Sequence, residues 1–183
     1  MSADPIRTER LVIRPFTLED EQAADALWQA VWARPLRPET LRWLALAPRE
    51  LATLYQPPLG DRALCIADSG ELIGAVGLTP ANGPFQLLDS PTVPPTPVAW
   101  SVEIGLFWSL HPRHRGHGYA TEAARALVTL ACNTCRVDRV VAHTEHDNVP
   151  SRRVMARLGM DVRSFRDVPG APWFQVVGRL PLD

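Results

Sequence analysis

A chain of 183 residues with 46% hydrophobic and 21% charged residues has the size and composition of a single globular domain (1–183). Nineteen basic and twenty acidic residues leave a net charge of −1, which excludes the global positive charge that nucleic acid or an anionic membrane would select. No apolar run reaches the ~18 residues of a membrane span and no signal-peptide segment is evident; the three cysteines (Cys65, Cys132, Cys135) suit reduced thiols in the cytoplasm.

In chain order, Leu11-Val12-Ile13-Arg14 reads as a first strand stopped by Pro15. Thr17 and Asp20 form a capping pair ahead of a helix carrying Ala23, Ala26, Leu27, Ala30 and Val31. Arg34-Pro35 ends that helix, because the residue before proline is pushed out of the α region. Pro38 opens a second helix with Leu41, Leu44 and Ala45, Pro48 closes it, and a short third helix covers Glu50 to Tyr55. Arg62 to Ala67 and Glu71 to Leu78 flank the turn Asp68-Ser69-Gly70 as a hairpin. Residues 80–97, with six prolines and Asn82-Gly83, read as a long connection without strand or helix character.

The central stretch follows. From Trp100 to Leu110 apolar residues alternate with Ser101, Glu103, Gly105, Phe107 and Ser109, a strand signature. Pro112-Arg113-His114-Arg115-Gly116-His117-Gly118 is a basic turn, and a helix runs from Tyr119 to about Asn133 with Ala120, Ala123, Ala124, Leu127, Val128 and Ala131 inward. Thr121, Glu122, Arg125 and Thr129 take its other side. Arg139 to Thr144 is a strand, Ser151 to Leu158 a short helix closed by Gly159, and Val162 to Phe165 with Trp173 to Leu180 a last strand pair. The order β-α-α-β-β-β-α-β-α-β-β describes one mixed α/β layer fold.

A strand that ends in a glycine-containing basic turn and opens a helix is an anion site. The first N–H groups of a helix lack intrahelical acceptors, and the helix dipole adds positive charge there. The third glycine of a dinucleotide fingerprint is replaced by Thr121, and no Gly-Lys-Ser/Thr of a nucleotide P-loop follows. Arg152, Arg153 and Arg157 form a second basic cluster, so the chain suits a small polyanion. Cys132-x-x-Cys135 with His143-x-x-His146 has a spacer of seven residues, against ~12 to 15 in a zinc finger, and reads as core cysteine rather than a metal site. Six tryptophans include Trp28 and Trp32, four apart on one helix face.

Four stretches together resemble the GNAT N-acetyltransferase superfamily, and most closely its Rim-type branch of ribosomal-protein N-terminal acetyltransferases: Thr8-Glu9-Arg10-Leu11-Val12-Ile13-Arg14-Pro15; Arg115-Gly116-His117-Gly118-Tyr119-Ala120-Thr121-Glu122-Ala123; Asn148-Val149-Pro150-Ser151-Arg152-Arg153-Val154-Met155; and Leu158-Gly159-Met160. The resemblance implies a mainly antiparallel central sheet flanked by helices. It also implies an acetyl-CoA-dependent N-acetyltransferase acting on a primary amine, a protein N-terminus or a small molecule, without a metal, and it allows a homodimer. The N–H groups from Arg115 through Gly116, His117, Gly118 and Tyr119 to Ala120 would hold the pyrophosphate, with Arg113 beside them. Leu110 would pair with the pantetheine arm, Asn148 would hold that arm, and Ser151 would lie near the thioester sulfur.

The implied chemistry needs a base for the amine proton, a donor for the oxyanion and an acid for the departing thiolate. Many relatives place a tyrosine seven residues after the asparagine as that acid; here the position is Met155, and Ser151 is the substitute. The alternative role for Ser151 is capping the short helix. Glu103 is the candidate base. It lies nine residues before Pro112, where relatives often have a glutamate seven before it, and a structural carboxylate paired with an arginine is the alternative. His143 and Glu145 are further candidates acting through water. A non-catalytic acyl-CoA-binding module of the same fold is the rival reading.

Overall fold

The computed structural model describes residues 4–54, 59–89, 99–135, 137–165, 168 and 173–182. The chain divides into two compact units, residues 1–79 with 107–136, and residues 80–106 with 137–183.

The first unit opens with β1 (Ile6–Arg7) and β2 (Leu11–Arg14), antiparallel with Ile6 opposite Ile13. Two residues carry no readable period, so β1 escapes sequence reading. Thr8 closes the turn between them: its N–H donates to the Leu11 carbonyl (2.9 Å), and its hydroxyl accepts from the Leu11 N–H (3.1 Å). The Thr17–Asp20 pairing is present, with the N–H and hydroxyl of Thr17 both donating to the Asp20 carboxylate at 2.7 and 3.1 Å. Arg14 adds two bonds of 2.7 Å to the same carboxylate. Burial pushes the Asp20 carboxyl up, but Arg14 and Thr17 outweigh it and hold it below the usual range.

In α1 (Glu21–Trp32) the buried stripe is Ala24, Leu27 and Trp28, with Val31 packed against it. Ala23, Ala26 and Ala30, expected inward, face solvent. Trp28 decides the difference: it offers far more apolar area than an alanine, so the face that carries it turns in. Helix α2 (Pro38–Thr53) runs through Pro48, where the sequence predicts a break and a separate helix. An interior proline costs about 3 kcal/mol. Burial of Leu41, Leu44, Ala47 and Pro48 itself offsets that cost.

Strand β3 (Gly60–Ile66) pairs antiparallel with β2 and with β4 (Leu72–Gly83), bulging between Leu64 and Cys65. Ala63, Cys65 and Ala75 are the small residues on which Phe16, Leu27, Trp28, Leu41 and Leu44 pack. A Cβ at Gly74 would lie 2.4 Å from the Ser109 carbonyl oxygen, so only glycine lets β4 run this close to β5 (Ser101–Leu110). After β5 comes the 3-10 turn Pro112–His114, then α3 (Tyr119–Leu130), which is prolonged by a π-helical turn, Ala131–Cys135. Ala120, Ala123, Ala124, Leu127 and Ala131 are buried as the pattern predicts. Thr121, expected outward, is buried too.

The second unit shows why a proline count misleads. β4 continues to Gly83 and a 3-10 turn covers Phe85–Leu88, where a featureless connection is expected; the rest of that stretch, residues 90–97, lies outside the described residues. Ala81, Phe85, Leu87 and Leu88 bury with Val141, Phe174 and Val177, so apolar burial overrides the turn-forming residues. β6 (Arg139–Thr144) pairs parallel with β5, Ile104 opposite Val140 and Gly105 opposite Val141. Helix α4 (Val149–Leu158) is followed by β7 (Asp161–Ser164) and β8 (Val176–Pro181), and β8 pairs antiparallel with both β6 and β7. Hydrogen-bonded order is β1-β2-β3-β4-β5-β6-β8-β7, a mostly antiparallel mixed α/β fold. The alternation in β5 does not bury its first residues: Trp100 is 46% and Val102 68% exposed. A period of two tells which side chains share a face, not whether anything covers it. Among the described residues no helix is long and apolar enough to cross a membrane.

Candidate functional site

The turn at the start of α3 brings the predicted anion-binding residues together within the first unit. Gly116 and Gly118 both take positive φ, 83° and 84°, a conformation that costs other residues about 1–2 kcal/mol. A Cβ at Gly116 would meet nothing within 4 Å, so the outer side of the turn is open. Gly118 is the N-cap of α3, and the first helical bond runs from the Glu122 N–H to the Gly118 carbonyl (3.1 Å). The N–H groups ahead of it belong to the helix start, which has no intrahelical acceptors. Dipole, open backbone and exposed Arg113 and Arg115 all favour an anion here.

Side chains fix the turn's shape. The Arg115 Nε donates to the Leu110 carbonyl (3.1 Å), so the end of β5 and the turn hold each other. His111 Nδ1 accepts from the Arg113 N–H (3.3 Å) and caps the 3-10 turn. Burial, Arg113 and His114 push the His111 pKa below the ordinary imidazole value, which keeps it neutral and fit to accept. His114 lies 3.2 Å from Glu71, and the His117 ring nitrogen Nδ1 lies 2.9 Å from the Arg115 carbonyl. Two further residues belong to this turn although sequence reading assigns them no role. Arg10 donates from Nη1 to the His117 carbonyl (3.1 Å) and from Nε to Glu122 (2.8 Å), and its guanidinium lies 4.8 Å over the Tyr119 ring. Burial pushes the Glu122 carboxyl up, but the Thr8 hydroxyl and Arg10 outweigh it and keep it ionised. The signal was present: both lie inside the stretches that carry the family resemblance.

In the second unit, Asn148 and Ser151 meet at the start of α4. Asn148 is the N-cap, its Oδ1 accepting from the Ser151 N–H at 3.2 Å. The capping role offered for Ser151 therefore falls to Asn148, and Ser151 stands half-buried at the third helical position. Gly159 closes the helix with φ 81°, as predicted.

Glu103 is not an unpaired carboxylate. Its two oxygens accept from Arg139 Nη2 (2.6 Å) and Nε (3.2 Å). Arg139 also donates to Asp89 (3.0 Å), and Arg179 reaches the same Asp89 oxygen (2.7 Å), so β5, β6 and β8 are linked through alternating charges. His143, on β6, is exposed with its ring centroid 4.9 Å from that of Trp173. Crowding around the ring pushes its pKa below the ordinary value, with Glu145 pulling weakly upward. Trp173 also packs edge-to-face on Trp100 at 5.9 Å. Of the tryptophans, Trp28 is buried and touches Trp32 at 4.8 Å, while Trp43 is 69% exposed. The inward position predicted for Cys132 falls to Ala131, and Cys132 is half-buried beside it. Among the described residues no group of three or more metal-capable side chains is assembled.

Known proteins agree with this architecture. An uncharacterized N-acetyltransferase of Bacillus subtilis, YnaD, is 26% identical over 167 residues, spanning 87% of this chain and 84% of its own. The crystal structure of an acetyltransferase from Agrobacterium tumefaciens superposes with a TM-score of 0.67 at 24% identity, over 98% of this chain and 95% of that one. A ribosomal L7/L12 α-N-protein acetyltransferase in complex with coenzyme A superposes with a TM-score of 0.65 at 15% identity, over 98% and 99%. The acetyltransferase (GNAT) domain family matches residues 10–161, and the chain belongs to that family as an N-acetyltransferase.

Proposed function

We propose that the chain transfers an acetyl group from acetyl-CoA directly to a primary amine, with a protein N-terminus or small α-amine as acceptor. The observation that carries this reading is the turn 115–120: two left-handed glycines, an open outer side and a helix start flanked by arginines. Short N–H donors and a dipole suit a pyrophosphate, whose charge they meet without a mobile side chain. Leu110 at the end of β5 would offer strand-like main-chain groups to the pantetheine amides, although its carbonyl already accepts from Arg115. Asn148 keeps its side-chain NH2 for that arm, since Oδ1 is engaged as the cap.

Ser151 is the hydroxyl assigned to protonate the departing thiolate. Glu103 has both oxygens taken up by the Arg139 guanidinium rather than turned to an incoming amine; we assign it to joining β5 and β6. His143 is the better candidate to take the amine proton, directly or through water, because its depressed pKa leaves it neutral at neutral pH.

The test is coenzyme binding by the Gly118→Asp protein, together with thiol release from acetyl-CoA across a panel of peptides and amines. An aspartate at φ 84° adds strain and a negative charge at the turn, so binding measured by calorimetry is expected to vanish while the far-UV circular dichroism is retained. Undiminished affinity would move the pyrophosphate elsewhere. Coenzyme binding by the wild type without thiol release for any acceptor would favour the non-catalytic module.

A further inference from the structure

Thr8, Arg10 and Glu122 form a connected group that neither the anion-binding chemistry nor the acyl transfer uses. The Glu122 carboxylate is its hub. One oxygen accepts from the Thr8 hydroxyl (2.6 Å) and the Arg10 main-chain N–H (3.0 Å), and the other from Arg10 Nε (2.8 Å) and Nη2 (2.6 Å). Held this way, the guanidinium has one direction left to it. Nη1 donates to the His117 carbonyl (3.1 Å), in the middle of the turn and 107 residues away in sequence. The same guanidinium covers the Tyr119 ring at 4.8 Å, and His117 stacks with that ring at 5.5 Å and 13°. A Cβ at Gly118 would come within 3.5 Å of Nη2.

We infer that Arg10, oriented by Glu122 and Thr8, is a positioning residue for the coenzyme turn: by holding the His117 carbonyl inward it aims the opposite, N–H side of the His117–Tyr119 backbone at the ligand. The physical reason is the peptide's rigidity. Carbonyl and N–H of one peptide unit point in opposite directions, so fixing the oxygen fixes the donors next to it. Glycines lose more backbone freedom on ordering than other residues, so pre-ordering a turn with two of them removes an entropic cost from binding. Arg10 makes this bond from a half-exposed position, at 45% side-chain exposure. Its contribution therefore comes from geometry, with three fixed bonds on a planar fork, rather than from Coulomb attraction, which solvent screens.

This inference rests on the turn being the coenzyme site, and the experiment separates the two. Calorimetry with coenzyme A is run on the wild type, Gly118→Asp, Arg10→Lys, Arg10→Gln, Glu122→Gln and the double variant Arg10→Gln/Glu122→Gln, with hydrogen exchange followed over residues 115–120. Lysine preserves the pairing with Glu122 but lacks the fork needed to reach His117 as well. Arg10→Lys is expected to keep the thermal midpoint of the wild type, yet to weaken coenzyme affinity by about tenfold, the scale of one lost charge-assisted hydrogen bond, and to raise exchange in 115–120. Arg10→Gln and Glu122→Gln should each show the same loss, and the double variant no more than either, because both act through one bond. If Arg10→Lys bound coenzyme A like the wild type while Gly118→Asp did not, the positioning role would be refuted and the site kept. If Gly118→Asp bound normally, the site itself would be wrong.

Discussion

Ser151 and His143 are the two side chains whose roles are most sharply separable by single substitutions. If Ser151 protonates the thiolate, Ser151→Ala should lower kcat by roughly tenfold or more while coenzyme affinity changes less than twofold. An unchanged kcat would leave Ser151 without a chemical role, since Asn148 already caps α4. His143 makes a pH prediction. Its folded pKa lies below the ordinary imidazole value, so the imidazole is deprotonated and able to accept a proton throughout the neutral range. At saturating acceptor, kcat should rise with pH through an acid limb placed below pH ~6.5 and then level off, whereas kcat/KM should keep rising to about pH 8 as the α-amine itself deprotonates. His143→Gln should lower the plateau and remove that limb; a limb that persists belongs to another group.

At the scale of elements, the charge chain Glu103–Arg139–Asp89–Arg179 carries the consequence. It runs from β5 through β6 to β8, and its Glu103–Arg139 pair is mostly shielded, at 16% and 24% side-chain exposure. Removing the Glu103 charge leaves Arg139 ion-paired with Asp89 alone. Glu103→Gln should therefore cost about 2 kcal/mol, a fall of roughly 4–8 °C in Tm, with the shape of the pH–activity profile preserved. Loss of the acid limb in that variant, rather than in His143→Gln, would restore Glu103 as the base. Elements also mark where the sequence was legible. The turn before α3 and the Gly159 cap are local patterns found as read, and the α3 stripe is found at Ala120, Ala123, Ala124, Leu127 and Ala131, with Val128 half-buried and Thr121 buried in addition. The expected break at Pro48 is absent, and the connection expected without structure holds strand and 3-10 turn over residues 80–88. Proline's local cost is small beside the burial of Leu41, Leu44 and Ala47 in one case and of Phe85, Leu87 and Leu88 in the other.

For the molecule as a whole, a net charge of −1 means that ligand selection rests on local charge, which the turn concentrates. The proposed α-amine acceptor is supported by reactivity. At pH 7.5 about a third of α-amino groups are neutral, against about one lysine in a thousand. With His143 as the proposed base, of depressed pKa, the protein would have no strong base with which to deprotonate a lysine. A peptide α-amine should therefore exceed a matched lysine ε-amine by about a hundredfold in kcat/KM near neutrality. Equal rates on both amines would contradict the proposed acceptor.

The sequence by itself determined the family, the kind of donor and the short-range devices: a glycine turn, an asparagine ahead of a proline, a glycine past a helix. These depend on neighbours a few residues away, which a linear reading contains. Only the tertiary structure decided that Glu103 belongs to Arg139, that Asn148 rather than Ser151 caps α4, and that Arg10 holds His117 from 107 residues off. A polar side chain has many possible partners along a chain. Which one it meets is set by strand register and helix rotation, and these are fixed by the burial of apolar surface rather than by the polar residues themselves.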